Sequence, residues 1–170
     1  MSGIISKSPD MNSGIVGKYP AGHTLQMSYV QNSSGDADTS GTTLIDAPQL
    51  TLTMTPTHIN SKFYMFANIH VYINANGDDG WRVCNTAFHR SISGGASAVV
   101  YNSGSTYSWG VHENDDANRF MQRIPFMWLD SPSTTSAVTY KVQFKAGGTF
   151  QVLYSPGYAL SDMTLMEIAG

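Results

Sequence analysis

One cysteine stands in this chain of 170 residues, Cys84. A lone thiol closes no disulfide within the chain, so the fold must hold together without one. Charge is scarce too. Asp, Glu, Lys and Arg supply 12% of the residues, about half of average usage. Lys and Arg number 9 against 12 Asp and Glu, for a net charge of −3. The basic residues do not cluster, which argues against a nucleic-acid partner. No run of ~18 apolar residues exists, so no membrane-spanning helix and no membrane insertion are expected. The opening MSGIISKSPD lacks the apolar core of a signal peptide, so the chain is expected to be made in a cytoplasm and not exported by the standard route. A sustained 3.6-residue apolar period is also missing, which removes the main signal for amphipathic helices.

What fills the space is Ser, Thr, Asn and Gly between short runs of alternating residues. In Phe63, Met65, Ala67, Ile69, Val71 and Ile73 one parity is apolar; Lys62, Tyr64, Phe66, Asn68, His70 and Tyr72 form the other. Successive strand side chains point to opposite faces, so this is a long strand with one dry face and one polar but aromatic face. Tyr140, Val142, Phe144 and Ala146 alternate with Thr139, Lys141, Gln143 and Lys145, and a second alternating run follows Gly147-Gly148. Two such runs joined by Gly-Gly read as a β-hairpin. Leu25, Met27 and Tyr29 alternate in a first strand, and Leu50, Leu52 and Met54 in a second that Pro56 stops. Trp81 to Ser91 reads as a strand returning along the long one across the turn NANGDDG. Pro125 within the run from Phe120 to Leu129 marks an edge strand or a bulge. Met163 to Ile168 closes the chain as a strand pinned within a sheet. Short strands with recurrent turn signals predict an all-β antiparallel sandwich or closed barrel.

Candidate chemistry is thin. The histidines are His23, His58, His70, His89 and His112, and none sits at a metal-ligand spacing. If the strands flanking NANGDDG pair, His70 and His89 face each other, as structural groups on a polar sheet face. Asp78-Asp79 and Glu113 with Asp115-Asp116 are the acidic clusters. Neither has the spacing of a known Ca²⁺ loop. Paired carboxylates also serve glycosidases, but no long groove or repeat accompanies these. No nucleophile elbow and no phosphate-binding loop is present. The reading is therefore not an enzyme, with no cofactor and no metal.

The order of pieces resembles a family of small virion proteins from tailed bacteriophages. The resemblance rests on PAGHTLQMSYVQ, LTLTMTPTHINSKFYMFANIHVYIN, FMWLDSPSTTSAVTYKVQF and the terminal MTLMEIAG, with an opening MSGIISKS…SGIVG of similar style. It implies a tail-fibre tip, knob or head appendage, with a jelly roll similar to the trimeric heads of tumour necrosis factor and complement. Residues 1–18, with only two short apolar pairs, read either as a frayed tail or as an extended anchor that orders against another chain; residues 19–170 would be the jelly-roll domain. Ile4, Ile5, Ile15 and Val16 would hold the anchor to other virion proteins. Tyr64, Phe66, Tyr72 and Trp128 would form a homotrimer interface, since aromatic residues are enriched in interface cores. The resemblance names no receptor-contacting residue; a separate reading of the loop from 102 to 118 is that its aromatics Tyr107 and Trp109 stack on sugar and so contact a host-surface glycan or receptor. Localisation in the virion follows, as does a role in host attachment. The alternatives are a capsid decoration protein that stabilises the head and a glycan-cleaving depolymerase.

Overall fold

The computed structural model describes residues 20–32, 34–74, 80–104, 109–113, 119–148, 150–154 and 159–170, with side chains at all of these except 80, 81, 111–113, 119 and 120. The strands, in chain order, are β1 Thr24–Asn32, β2 Ala37–Thr39, β3 Ile45–Met54, β4 Lys62–Asn74, β5 Gly80–Ile92, β6 Ser97–Asn102, β7 Trp109–Glu113, β8 Arg119–Asp130, β9 Val138–Ala146, β10 Gln151–Tyr154 and β11 Ser161–Ile168. No helix occurs among the described residues.

Every pairing is antiparallel, and the strands form two sheets. β4 is central to the first. β8 runs along its residues 63–74, while β11 pairs with residues 62–68 and β10 with residues 71–74. A strand has two edges, so β11 and β10 share one edge of β4 end to end. β1 lies beyond β11 and β2 beyond β10. The second sheet runs β3-β9-β5, with β6 and β7 sharing the far edge of β5. Merging the end-to-end pairs gives two four-stranded layers between which the chain alternates, the double Greek key of a jelly roll.

The core is where the alternating patterns place it. Phe63, Met65, Ala67, Ile69, Val71 and Ile73 of β4 are fully buried, as are Val138, Tyr140, Val142, Phe144 and Ala146 of β9. Aromatic pairs knit the sheets together: Phe63 with Tyr140 at 5.6 Å between ring centroids, Phe88 with Phe126 at 4.7 Å, and Phe144 with Tyr154 at 5.9 Å. Such pairs each add ~0.5–1.5 kcal/mol beyond their buried area.

Three expectations change. β9 and β10 do not form a hairpin. β9 lies in the second sheet and β10 pairs with β4 and β2 in the first. Both strands have one apolar face, and each buries it by facing the other across the core. β5 likewise does not return along β4 but crosses to the opposite sheet. His70 and His89 are therefore not opposed; His70 lies opposite Arg123 and His89 opposite Lys141. The third change is the orientation of β1. Its apolar positions Met27 and Tyr29 point outward, while Val30 and Asn32 are on the inner parity. Asn32 is buried and donates through Nδ2 to the Pro48 carbonyl at 2.8 Å and to the Tyr154 hydroxyl at 2.9 Å. Two other expectations hold. β8 is an edge strand, which accommodates Pro125, and β11 is pinned between β1 and β4.

Gly110 is where β7 comes closest to β5. A Cβ there would fall on the carbonyl oxygen of Arg82. Gly110→Ala is expected to destabilise by ~1–3 kcal/mol, the usual cost of overpacking against backbone, read as a lower denaturation midpoint.

Candidate functional site: an apolar outer face

The two sheets differ on the side turned away from the core. Outward positions of β3 and β9 are Thr51, Thr53, Thr139, Lys141 and Gln143. Lys141 and Gln143 both bond Asp46, at 2.8 and 2.7 Å, and Thr53 bonds Thr139 at 2.7 Å. This outer face is polar and bonded to itself.

The first sheet is different. Its register aligns Met27, Met166, Tyr64 and Leu129 in one row across β1, β11, β4 and β8. The next row is Tyr29, Thr164, Phe66 and Met127. Neither row holds a charge. Met27 is 65% exposed, Tyr29 and Met127 54%, and Leu129 48%. Further along, Met121 is 52% exposed beside Tyr72. Tyr64, Phe66, Tyr72 and Met166 are half-buried by these neighbours. The Tyr64 hydroxyl donates to Met127 Sδ at 3.0 Å, so even its polar end is turned onto the patch. Lys62 bounds the rows at one end, Asp162 and Arg123 at the other.

The sequence singled out three of these residues, Tyr64, Phe66 and Tyr72, and the fold does place them on one face. Trp128 is separated from them. It has the parity of the buried Ile124, Phe126 and Asp130, and its ring lies 5.4 Å from that of Tyr101 at the seam between β8 and β6. It is still 42% exposed. The rest of the patch was missed: Met27, Tyr29, Met121, Met127, Leu129 and Met166. A signal existed in β8, whose sequence RFMQRIPFMWLD is apolar on both parities, as a strand covered on both sides would be.

The other candidates are dispersed. Trp109 is half-buried against the core, opposite Cys84. Tyr107, Ile4, Ile5, Ile15 and Val16 lie outside the described residues, as do Asp78, Asp79, Asp115 and Asp116. Among the described residues no three His, Cys, Asp or Glu converge as metal ligands. Cys84 is fully buried, and burial pushes its thiol far above the usual range, so it stays protonated and unreactive.

Two buried carboxylates went unnoticed in the sequence. Asp130 accepts from Arg90 Nη1 at 2.8 and 3.0 Å and from the Tyr140 hydroxyl at 2.8 Å. Glu167 accepts from the backbone N–H and hydroxyl of Thr57 at 2.6 and 2.7 Å, and from Gln26 Nε2 at 2.5 Å. Each has its oxygens occupied by structural donors, an arrangement that tethers strands and leaves no lone carboxylate poised as acid or base.

No protein-family model and no curated protein matches the chain. Solved structures similar to it include that of infectious bursal disease virus Gt strain, at 10% identity and a TM-score of 0.43, with 99% of this chain and 43% of that one covered. The VP2 subviral particle of the same virus matches at 11% identity and a TM-score of 0.43, covering 99% and 42%. The chain thus spans less than half the length of these viral chains. What is established is a two-sheet antiparallel jelly roll with one apolar outer face.

Proposed function

We propose that this protein is a non-enzymatic structural protein of a bacteriophage virion, a trimeric tail-fibre or knob-like module that projects from the particle and takes part in host-surface attachment. The observation that carries this reading is the contrast between the two outer faces. A polar, threonine-rich face whose Lys141 and Asp46 pair with each other suits exposure, and a large apolar face suits assembly. The occupied carboxylates and the buried, protonated thiol favour a mechanical role over a catalytic one. The sequence resemblance supplies the virion context, with residues 1–18 as the attachment segment and Ile4, Ile5, Ile15 and Val16 as its apolar contacts.

Deleting residues 1–18 is expected to leave a folded, soluble protein that no longer enters particles. Imaging of particles carrying labelled protein, with an adsorption assay on host cells, tests the whole reading. Label at the tail and loss of adsorption on deletion are expected. Label over the head, with adsorption intact and capsids less resistant to heat, would replace attachment with capsid decoration. Sugar release from host polysaccharide would overturn the non-enzymatic reading.

A further inference from the structure

We infer that the outer face of the β1-β11-β4-β8 sheet is the surface through which copies of this chain associate, with Tyr64, Phe66 and Met166 at its centre and the more exposed Met27, Tyr29, Met127 and Leu129 on either side. This deepens the assembly part of the function proposed above and rests on it.

The area is of the right order. Within the two rows, four large side chains about half exposed and three more partly exposed present roughly 550 Å² if each large side chain offers ~150–250 Å². A stable interface takes about 800 Å² from each partner, and monomers rarely leave a contiguous apolar patch above ~300–600 Å² uncovered. The jelly-roll core is complete beneath this face, with Met65, Ala67, Met163 and Leu165 fully buried on the other side of the same strands. Folding therefore does not account for the patch.

The chemistry selects a second copy as the occupant. A partner must bring apolar surface, because the two central rows offer Thr164 and two tyrosines as their only polar groups, and the Tyr64 hydroxyl is already engaged with Met127. The second sheet's outer face, with Lys141, Asp46, Gln143 and its threonines, does not supply it. Another copy of the Met-rich face does, and methionine adapts its shape to a like surface. The charges that flank the rows are few, Lys62 at one end and Asp162 with Arg123 at the other. Asp162 feels the positive charge of Arg123 within one copy, and Arg123 also donates to the Leu160 carbonyl at 3.0 Å.

The test is sedimentation of the full chain at roughly 10 μM beside the Tyr29→Glu/Met127→Glu variant and a control, Thr53→Glu, on the polar face. Wild type and control are expected to form one defined oligomer. The double variant should dissociate, its association constant lower by at least about 100-fold, as for burying two carboxylates in place of two large apolar contacts, one on each side of the face. Both substituted positions are exposed, so circular dichroism and melting should show a retained fold. Should the double variant fail to fold, Met27→Lys alone takes its place, with the same dissociation expected. A monomeric wild type, or variants that assemble as well as the control, would overturn the inference. A monomeric wild type that still adsorbs to host cells leaves the attachment reading intact. An oligomer that needs this face yet joins no particle and binds no cell keeps the inference and removes the attachment reading.

Discussion

Asp130→Ala is expected to lower the unfolding free energy by ~3 kcal/mol, one of the two largest losses from any single side chain outside the apolar core. Asp130 ends β8 in the first sheet; Arg90 and Tyr140 stand in β5 and β9 of the second. One carboxylate thus ties the layers together at their edge. Arg90 and Asp130 side chains are only 18% and 11% exposed, so solvent screens the pair little. Removing the acid strands a buried guanidinium whose Nε already has no partner among the described residues. It also leaves the Tyr140 hydroxyl without its acceptor in the core. Breaking one side of a buried ion pair costs ~3–5 kcal/mol, and the residual exposure here favours the lower end. Burial first, then the charge and hydrogen bond of Asp130, push the Tyr140 phenol far above its usual range, so it remains a donor at any working pH. Urea denaturation measures the loss. The paired replacement Arg90→Met with Asp130→Leu should recover more than half of it, because no charge is then left alone. A loss below ~1 kcal/mol for Asp130→Ala would show that the tie carries little load.

Glu167→Gln is expected to cost ~2–3 kcal/mol near neutral pH, and the cost should fade in acid. The carboxylate is fully buried on β11, beneath the connection that follows β3. Burial raises its pKa, but donors grouped around it on Ser61, Thr57 and Gln26 outweigh burial and hold it below the ordinary 4.5. A carboxyl with a depressed folded-state value stabilises fully above its unfolded value and loses that contribution as pH falls through the folded one. Charge-assisted bonds of this kind are worth ~1.5–3 kcal/mol, and glutamine turns a donor toward groups that need an acceptor. Thermal melts from pH 7 to pH 3 should show the gap between wild type and variant narrowing below about pH 4.5. A gap that stays constant would mean the ionised form does not supply the stability.

The alternation that marks β4, β9 and β11 was legible because each buries one parity fully and leaves the other for the most part only partly covered, which a period of two records directly. Which sheet a strand joins was not. Gly147-Gly148 reads equally as a tight hairpin or as a corner between layers, and only packing decides. The bend wraps tightly over β5: the Gly147 N–H donates to the Val83 carbonyl at 2.9 Å, and a Cβ at Gly147 would press on the Val83 side chain. The apolar face was half legible. Tyr64, Phe66 and Tyr72 stood out as aromatics on a polar parity. Met27 and Tyr29 did not, because an apolar parity at the start of a chain is naturally assigned to the core. They point outward because Asn32 and Gln26 on the other parity serve Tyr154 and Glu167. Hydrogen bonds to partners more than 100 residues away decided the orientation of that strand.

The placement of β11 has a consequence for how the protein comes into being. Residues 161–168 insert between β1 and β4, with Thr24 opposite Ile168 and Met65 opposite Leu165. While a ribosome is still adding them, β1 has no neighbour to pair with and β4 has an open side. Those greasy strands therefore stay uncovered until residues 161–168 emerge. Long-range closure of this kind is slow, on the order of milliseconds to seconds, and it exposes the unfinished sheet to aggregation. Synthesis in quantity would make chaperone capacity a governing factor in the yield of native protein.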